Sequence, residues 1–172
     1  YMEKVLRVAN PKVGLLNIGE ESTKGNELAL GAYEILKNAS NINFIGNIEG
    51  RDVLAGKADV VVCDGFVGNV ILKFAEGMGS ALFSLIKDEV TRSWQGKLGG
   101  LLVRDGLHRV KQRVDYTEYG GAPLLGVKGV SIISHGSSNH KAIYNALRVA
   151  MEAEKHQVVS TIAANIVGAD GE

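Results

Sequence analysis

The segment at residues 60–73, V-V-V-C-D-G-F-V-G-N-V-I-L-K, constrains the fold of this chain more than any other. An unbroken apolar run ends at Asp64 and Gly65, and apolar residues then recur at helical spacing. Apolar runs without alternation are typical of parallel strands that are covered on both faces. The segment therefore predicts a buried strand, a tight polar turn and a helix. Such a turn lies at the carboxyl end of its strand, where open α/β sheets bind ligands.

Similar apolar runs alternate with helical patterns along the rest of the chain. Strands are predicted at residues 13–17, 43–48, 58–63 and 129–134, and helical stripes begin at Leu28, Val67 and Ala142. Strands that alternate with helices indicate a mostly parallel sheet with helices on both faces. The 172 residues are predicted to form a single α/β domain.

Composition excludes several classes of protein. The net charge is zero and the pI about 7.1, so no overall field draws the chain to nucleic acid. The single cysteine, Cys63, excludes an intramolecular disulfide, and it is predicted to lie in the core strand. We find no uninterrupted apolar run of the ~20 residues that span a bilayer.

Residues 93–117 break the regular pattern. Five basic residues alternate with leucines and valines, and four glycines interrupt the segment. It is predicted to form a protruding, basic, amphipathic element of short helices that are joined flexibly. Such an element could dock on a membrane or an acidic partner, or it could pack on its own domain or across a dimer.

The loop after the first strand is rich in polar residues. Lys24 precedes a helix N-terminus, an end that favours negative charge, so an anion bound between Lys24 and the free N–H groups is one explanation. A solvated lysine is the alternative. The candidate binding residues of this loop are Asn17, Gly19, Glu20, Gly25 and Asn26.

Two further turns provide candidates. After the third strand, Asp64 could cap the helix or act in the site, and Asn69 could point its amide into the crevice. Candidate binding residues in this turn are Gly65, Phe66 and Gly68.

The last turn, S-H-G-S-S-N-H, offers His135, Gly136 and Ser137 as candidate binding residues. Ser137 or Ser138 is expected to cap the closing helix. The paired glycines of Y-G-G-A-P-L-L-G are expected to let the backbone approach a ligand. No phosphate loop, dinucleotide motif, nucleophile elbow or zinc-binding cluster is present in the sequence.

Several long motifs together resemble one family, the bacterial phosphate acyltransferases of phospholipid synthesis. The resemblance rests on P-K-V-G-L-L-N-I-G-E-E, K-G-N, F-I-G-N-I-E-G-R-D, D-V-V-V-C-D-G-F-V-G-N-V-I-L-K, Y-G-G-A-P-L-L-G-V-K-G and S-H-G-S-S-N. It covers nearly all of the chain and corresponds to the C-terminal half of the family's longer polypeptide. The N-terminal part, with its D-A-M-G-G-D type motif, has no counterpart here.

The resemblance implies acyl transfer from acyl carrier protein to inorganic phosphate. It also implies a three-layer α/β/α sandwich, similar to the isocitrate/isopropylmalate dehydrogenase and phosphate acetyltransferase group, with no metal or organic cofactor. The family's members are homodimers at the cytoplasmic membrane, and this favours the membrane interpretation of residues 93–117. A downstream glycerol-3-phosphate acyltransferase is a further expected partner.

The expected chemistry fits the candidate residues. Phosphate dianion is already a nucleophile, so the site must hold an anion against a thioester and stabilise the oxyanion. Lys24, Asp64 and Asn69 are the candidate catalytic residues. Arg51, Lys73 and Arg109 are candidates to meet the acidic carrier protein. A coenzyme A-dependent phosphate acetyltransferase and a non-catalytic fragment that dimerises or docks on the membrane remain alternatives.

Overall fold

The computed structural model describes residues 1–114, 120–136 and 138–166. Eleven helices and strands follow one another along this part of the chain. They are β1 (Lys12–Leu16), α1 (Glu27–Asn38), β2 (Asn43–Ile48), α2 (Gly50–Ala55), β3 (Val60–Val62), α3 (Gly65–Thr91), α4 (Trp94–Val114), β4 (Ala122–Pro123), β5 (Ile132–Ile133), α5 (His140–Lys155) and α6 (Val158–Ile166).

The chain divides into two compact units, and the boundary falls within α3. We call Met2–Met78 the N-terminal unit and the chain from Gly79 onward the C-terminal unit. The N-terminal unit contains a three-stranded parallel sheet, and the C-terminal unit contains a two-stranded antiparallel sheet. The molecule is thus an α/β protein with a small parallel sheet. The single domain stays a prediction.

The parallel sheet has the strand order β2-β1-β3. The first three predicted strands are confirmed, because each apolar run contains one of these strands. The central strand β1 is buried at Val13 and Leu15, and Ile48 at the end of β2 is fully buried. The chain leaves β1 for β2 on one side and later returns to β3 on the other side. A crevice for ligands forms at such a switch point, outside the carboxyl ends of the strands.

The fourth predicted strand is wrong in extent and in pairing. Only Ile132–Ile133 is a strand, and it pairs antiparallel with Ala122–Pro123. One further hydrogen bond, from Leu124 N to Ser131 O, continues this pairing. Proline cannot donate to a ladder, so Pro123 limits the pair to a short one. Apolar composition predicted the strand but could not predict its partner.

The basic segment is one continuous helix over Trp94–Val114, and the predicted set of short helices is wrong. Gly96 and Gly100 lie against α3, where an added Cβ would come within 2.4 Å of the Val90 O and Cγ1 atoms respectively. These glycines allow α4 to approach α3 closely, which offsets their low helix propensity. Residues 115–117 of the predicted element lie outside the described residues, and its protrusion stays a prediction.

By length and composition alone, α3 is able to cross a membrane. Its 27 residues include a window with a mean hydropathy of 1.2, none of which is buried. A core helix of a soluble protein passes the same test. The expectation that no apolar run of ~20 residues is uninterrupted still holds, because charged residues interrupt α3. Two of them, Lys73 and Glu76, form an ion pair of 3.0 Å.

Candidate functional site

The loops that follow β1 and β3 emerge at the same edge of the parallel sheet. Leu15 of β1 is paired with Val62 of β3, and each strand ends within one residue of that pair. Asn17 and Asp64 therefore follow the sheet at the same level. Both loops flank the switch point of the sheet: they carry Lys24 and Asp64, and Asn69 follows on the second turn of α3.

Residues 17–26 form a loop, here called the 17–26 loop, whose two ends are tied together by Asn17. The Asn17 side chain donates from Nδ2 to Lys24 O at 2.9 Å, and its Oδ1 accepts from Ile18 N at 2.8 Å. Gly25 has a φ of 102°, and a Cβ there would come within 2.7 Å of Asn17 Oδ1. Only glycine fits that conformation and that space. The predicted residues Asn17 and Gly25 thus shape the loop.

Asn26 ends the loop as the N-cap of α1. Its Oδ1 accepts a hydrogen bond from Ala29 N at 2.9 Å. An asparagine cap satisfies one of the free N–H groups at a helix start. This contact gives Asn26 a structural role in the candidate site.

Two charged residues of the 17–26 loop have different surroundings: Glu20 is paired with a lysine outside the loop, and Lys24 is exposed. Glu20 accepts a hydrogen bond from Lys57 Nζ, which also lies 3.6 Å from Asp52 Oδ2. Lys24 is exposed, and no described carboxylate lies within 4.0 Å of its ammonium. The Glu20 hydrogen bond, followed by weaker effects of Asp52, raises the pKa of Lys57 above its ordinary 10.5. The sequence interpretation did not include Lys57, which is 37 residues from Glu20.

Asn47, another residue that the sequence interpretation missed, connects β2 to the 17–26 loop by a hydrogen bond. It lies in β2, only 4% exposed, and its Nδ2 donates to Glu21 O at 2.8 Å. Its Oδ1 is buried and lacks a hydrogen-bond partner among the described residues. A polar residue inside the apolar run F-I-G-N-I was the available signal, because a buried amide usually needs partners.

Asp64 caps α3. Its Oδ1 accepts hydrogen bonds from Phe66 N and Val67 N, both at 2.9 Å, and Gly68 N donates to Asp64 O at 3.0 Å. Asp64 therefore has the helix-capping role that the sequence analysis gave as one of its two possible roles. Gly65 lies at the helix start. Phe66 is 79% exposed beside it.

Asn69 is exposed on the second turn of α3. Neither Asp64 nor Asn69 forms a described hydrogen bond or ion pair with Lys24. The helix start thus presents an exposed amide and an exposed aromatic ring at the sheet edge where the 17–26 loop also begins.

Cys63 is exposed, so its predicted burial in the core strand is wrong. The strand β3 ends one residue earlier, at Val62, and the cysteine begins the turn. A Cβ on Gly68 would come within 3.0 Å of the Cys63 sulfur. Although the residue is exposed, partial desolvation of its thiol, and then the negative charge of Asp64, raise the pKa of Cys63 above its ordinary 9.0.

The remaining predicted site residues belong to the C-terminal unit. His135 and Gly136 are exposed in the turn before α5, and Ser137 lies outside the described residues. Asn139, and neither serine, is the N-cap of α5, because its Oδ1 accepts from Ala142 N at 3.0 Å. The expected serine cap is therefore wrong, because α5 begins at His140, directly after Asn139.

The paired glycines in this unit face protein. Gly120 is buried against α5, and a Cβ there would come within 2.3 Å of the Asn145 carbonyl carbon. A Cβ on Gly121 would come within 2.6 Å of Ile133 O. The two glycines let the chain pass close to α5 and β5, so their expected approach to a ligand is corrected.

The three basic residues that are candidates to contact an acidic carrier protein are exposed, and two of them form ion pairs within this chain. Arg51 pairs with Glu49 at 3.0 Å, and Lys73 pairs with Glu76 at the same distance. Arg109 is exposed on α4. Surface pairs of this kind are weak, so the two paired side chains remain able to exchange partners.

The geometry of the N-terminal unit suits anion binding and electrostatic stabilisation. It places one ammonium, an exposed amide and a helix start at one edge of a parallel sheet. Among the described residues, no group of three or more His, Cys, Asp or Glu side chains could hold a metal ion.

Comparison with known proteins places these features in a family. A family model described as "Fatty acid synthesis protein" matches residues 1–161. The chain is 60% identical over 168 residues to the "Phosphate acyltransferase" of Heliobacterium modesticaldum, covering 98% of this chain and 50% of the relative. It is 57% identical over 164 residues to that of Thermosynechococcus vestitus, covering 95% and 48%.

For the protein of the same name from Moorella thermoacetica, identity is 55% over 162 residues, covering 94% and 48%. The chain thus spans about half the length of the curated relatives that it matches. Since the family model covers nearly the whole sequence, the chain belongs to the fatty acid synthesis protein family.

Proposed function

We propose that this protein transfers a fatty acyl group from acyl carrier protein to inorganic phosphate, giving acyl phosphate for phospholipid synthesis. The observation that carries the proposal is the 60% identity, over 98% of the chain, to a protein named phosphate acyltransferase. That name gives phosphate as the acceptor and an acyl group as the cargo. Acyl carrier protein as donor is the finer part of the proposal.

The chemistry assigns a task to each candidate residue. Phosphate attacks the thioester carbonyl, a tetrahedral oxyanion forms, and the carbon–sulfur bond then breaks. Lys24 holds the phosphate or the developing oxyanion, and the Asn69 amide donates to the same charge. Asp64 holds the start of α3, so it positions the turn from which Asn69 projects. No nucleophilic side chain is needed.

The decisive experiment measures acyl phosphate formation by the complete gene product, with acyl carrier protein and coenzyme A thioesters as alternative donors. A preference for short acyl groups on coenzyme A would instead support the phosphate acetyltransferase alternative. Formation with neither donor would contradict the proposal. Lys24→Met and Asn69→Ala are expected to lower turnover about 10²-fold or more, as for the loss of one oxyanion donor. Asp64→Ala, which removes the capping oxygen, tests the positioning role of Asp64, and Asp64→Asn, which keeps that oxygen, tests its charge.

Lys37→Met, on the exposed end of α1, is the matched control for Lys24→Met. Thermal melting of each variant checks the fold. Folded variants of Lys24, Asp64 and Asn69 that keep turnover within a few-fold of the parent would show that these residues serve only the loop and the helix cap.

We further propose that α4 contacts the cytoplasmic face of the membrane. The support is its exposed leucines, of which Leu101 and Leu102 are 66% and 87% exposed, beside basic residues. Each basic residue near an anionic surface contributes about 1 kcal/mol. Glutamate at Leu101 and Leu102 should reduce co-sedimentation with anionic liposomes. The same change at Ile35 and Leu54, which are 74% and 82% exposed on the N-terminal unit, is the control. Unchanged binding of the α4 variant would contradict the contact.

The remaining proposals concern the assembly. The protein is proposed to be a homodimer with a three-layer α/β/α sandwich, and to pass acyl phosphate to a glycerol-3-phosphate acyltransferase. Sedimentation velocity of the complete gene product tests the dimer.

Charge reversal at Arg51, Lys73 and Arg109 should raise the KM for the acidic carrier at low salt, because complementary charge raises the rate of encounter. An unchanged KM would remove these three residues from the interface.

A further inference from the structure

We infer that Lys57 is a positioning residue for the 17–26 loop: it binds Glu20 and thereby leaves Lys24 available for a phosphate dianion. The inference rests on the proposed function, because it assigns the anion to that loop. Nothing in the sequence pattern places Lys57 in the site. Its role follows from its contacts.

The first step of the argument is the charge of the loop. Glu20, Glu21 and Lys24 together carry one excess negative charge, which would repel phosphate. The Lys57 ammonium donates to Glu20 Oε1 and brings the sum of these four groups to zero. A carboxylate in an anion site is unfavourable unless a cation compensates it. Lys57 supplies that cation.

The second step is competition for Lys24. A Cβ on Gly19 would come within 3.2 Å of Lys24 Cγ and 2.7 Å of Glu21 Oε2, so the Lys24 side chain passes beside the backbone just before Glu20. The Glu21 carboxylate thus lies near the stem of Lys24, although no described carboxylate is within 4.0 Å of its ammonium. If Lys57 were absent, the uncompensated Glu20 carboxylate of the same loop would compete with phosphate for that ammonium. An ion pair there would have to break before phosphate could bind.

The third step is how Lys57 is held. Asp52 Oδ2 accepts a hydrogen bond from Glu49 N at 2.8 Å, in the capping box of α2, so its position is fixed by the helix. Lys57 Nζ lies 3.6 Å from the same oxygen. Asp52 thus helps to hold the same ammonium that donates to Glu20. The side chains of Lys57 and Glu20 are 42% and 58% exposed, and pairs of that exposure contribute little to stability. Their effect is on the charge and the geometry of the loop.

The kinetic test uses Lys57→Gln in the complete gene product at low salt. The KM for inorganic phosphate should rise about threefold to fivefold, the size of one exposed charge, while the KM for the acyl donor stays within twofold. The rise should shrink as salt is added, since salt screens exposed charges. The double variant Glu20→Gln with Lys57→Gln should restore the KM for phosphate. An unchanged KM in the single variant, or no recovery in the double variant, would overturn the inference.

Two further variants complete the design. Arg92→Gln removes another exposed cation that pairs with a glutamate, Glu89 at 3.4 Å, and it should leave the KM for phosphate unchanged. Glu20→Gln alone should lower the KM for phosphate, because it removes a negative charge. This variant decides the question even if Lys57→Gln does not fold, and a KM that is unchanged or raised would overturn the inference.

A second readout separates this inference from the proposed function. Reductive methylation of Lys24, followed by peptide mass spectrometry, reports whether inorganic phosphate protects that amine without any turnover. Protection should require about threefold to fivefold more phosphate in Lys57→Gln than in the parent. Equal protection would overturn the inference. Protection that needs more phosphate in Lys57→Gln, together with no acyl phosphate formation by the parent, would contradict the proposed function and support the role of Lys57.

Discussion

Gly120 lies so close to Asn145 that an added Cβ would come within 2.3 Å of the Asn145 carbonyl carbon. Its φ of 82° also belongs to the left-handed region that side chains disfavour. Two separate effects, a clash with the backbone of α5 and a strained conformation, therefore oppose any larger residue. The contact brings the segment before β4 onto the buried face of α5.

Gly120→Ala is expected to destabilise the protein by about 2 kcal/mol or more, since overpacking costs about 1–3 kcal/mol and alanine at positive φ adds strain. Urea denaturation of the complete gene product measures the change. Gly129→Ala is the matched control, because a Cβ there meets no described atom within 4 Å. Equal denaturation midpoints for the two variants would show that α5 yields at this contact.

Replacements of Asn47 should separate the contribution of its Nδ2 donor to stability from that of its unpartnered Oδ1. Asn47→Asp replaces the amide that donates to Glu21 O with a buried carboxylate oxygen, and should cost about 3 kcal/mol or more. Asn47→Leu also loses that donor but removes the unpartnered Oδ1, so it should cost less, about 1–2 kcal/mol. Denaturation midpoints give the order. Asn41→Asp, at an exposed position, is the control, and a leucine variant less stable than the aspartate variant would contradict this account.

The capping box of α2 predicts a contribution to acid stability. The hydrogen bond from Glu49 N, opposed by desolvation and assisted by Lys57, lowers the pKa of Asp52 below 3.8 in the folded state. The unfolded chain then binds the proton more tightly, so the contribution is present above pH 3.8 and is lost as the pH falls through the lowered pKa.

Asp52→Asn should therefore reduce the loss of stability between neutral pH and about pH 3, relative to the parent. Thermal melting across this range measures it. Glu34→Gln, on the exposed side of α1, makes the same change of charge without a capping contact. Parallel pH profiles for the parent and Asp52→Asn would contradict the prediction.

The thiol of Cys63 should report on the charge of Asp64. Burial, and then Asp64, raise the pKa of Cys63, so its alkylation at pH 8 should be slow. Asp64→Asn keeps a helix-capping oxygen but removes the negative charge, and should speed alkylation about twofold to threefold. Peptide mass spectrometry after iodoacetamide treatment measures the rate. The same rate in both proteins would mean that burial alone controls the thiol.

The sequence by itself predicted the three parallel strands, the helices α1, α3 and α5, and the turns that carry Lys24 and Asp64. Local physics is sufficient for these features. The unbroken apolar run at residues 60–62 favours a strand that is at least partly covered, and polar turn residues follow it. The proposal that the 17–26 loop binds an anion also rests on residues that are close together in the chain.

The tertiary structure decided whatever depends on contacts between distant residues. Lys57 meets Glu20, and Asn47 meets Glu21, only because the fold brings together segments that are far apart in the sequence. From sequence alone, Gly96 and Gly100 of α4 were interpreted as flexible and Gly120 as ligand-facing, yet each of the three lies against a neighbouring helix. A glycine pattern indicates that something comes close to the backbone. Only the packed structure shows that it is protein, because the identity of the neighbour is a property of the fold.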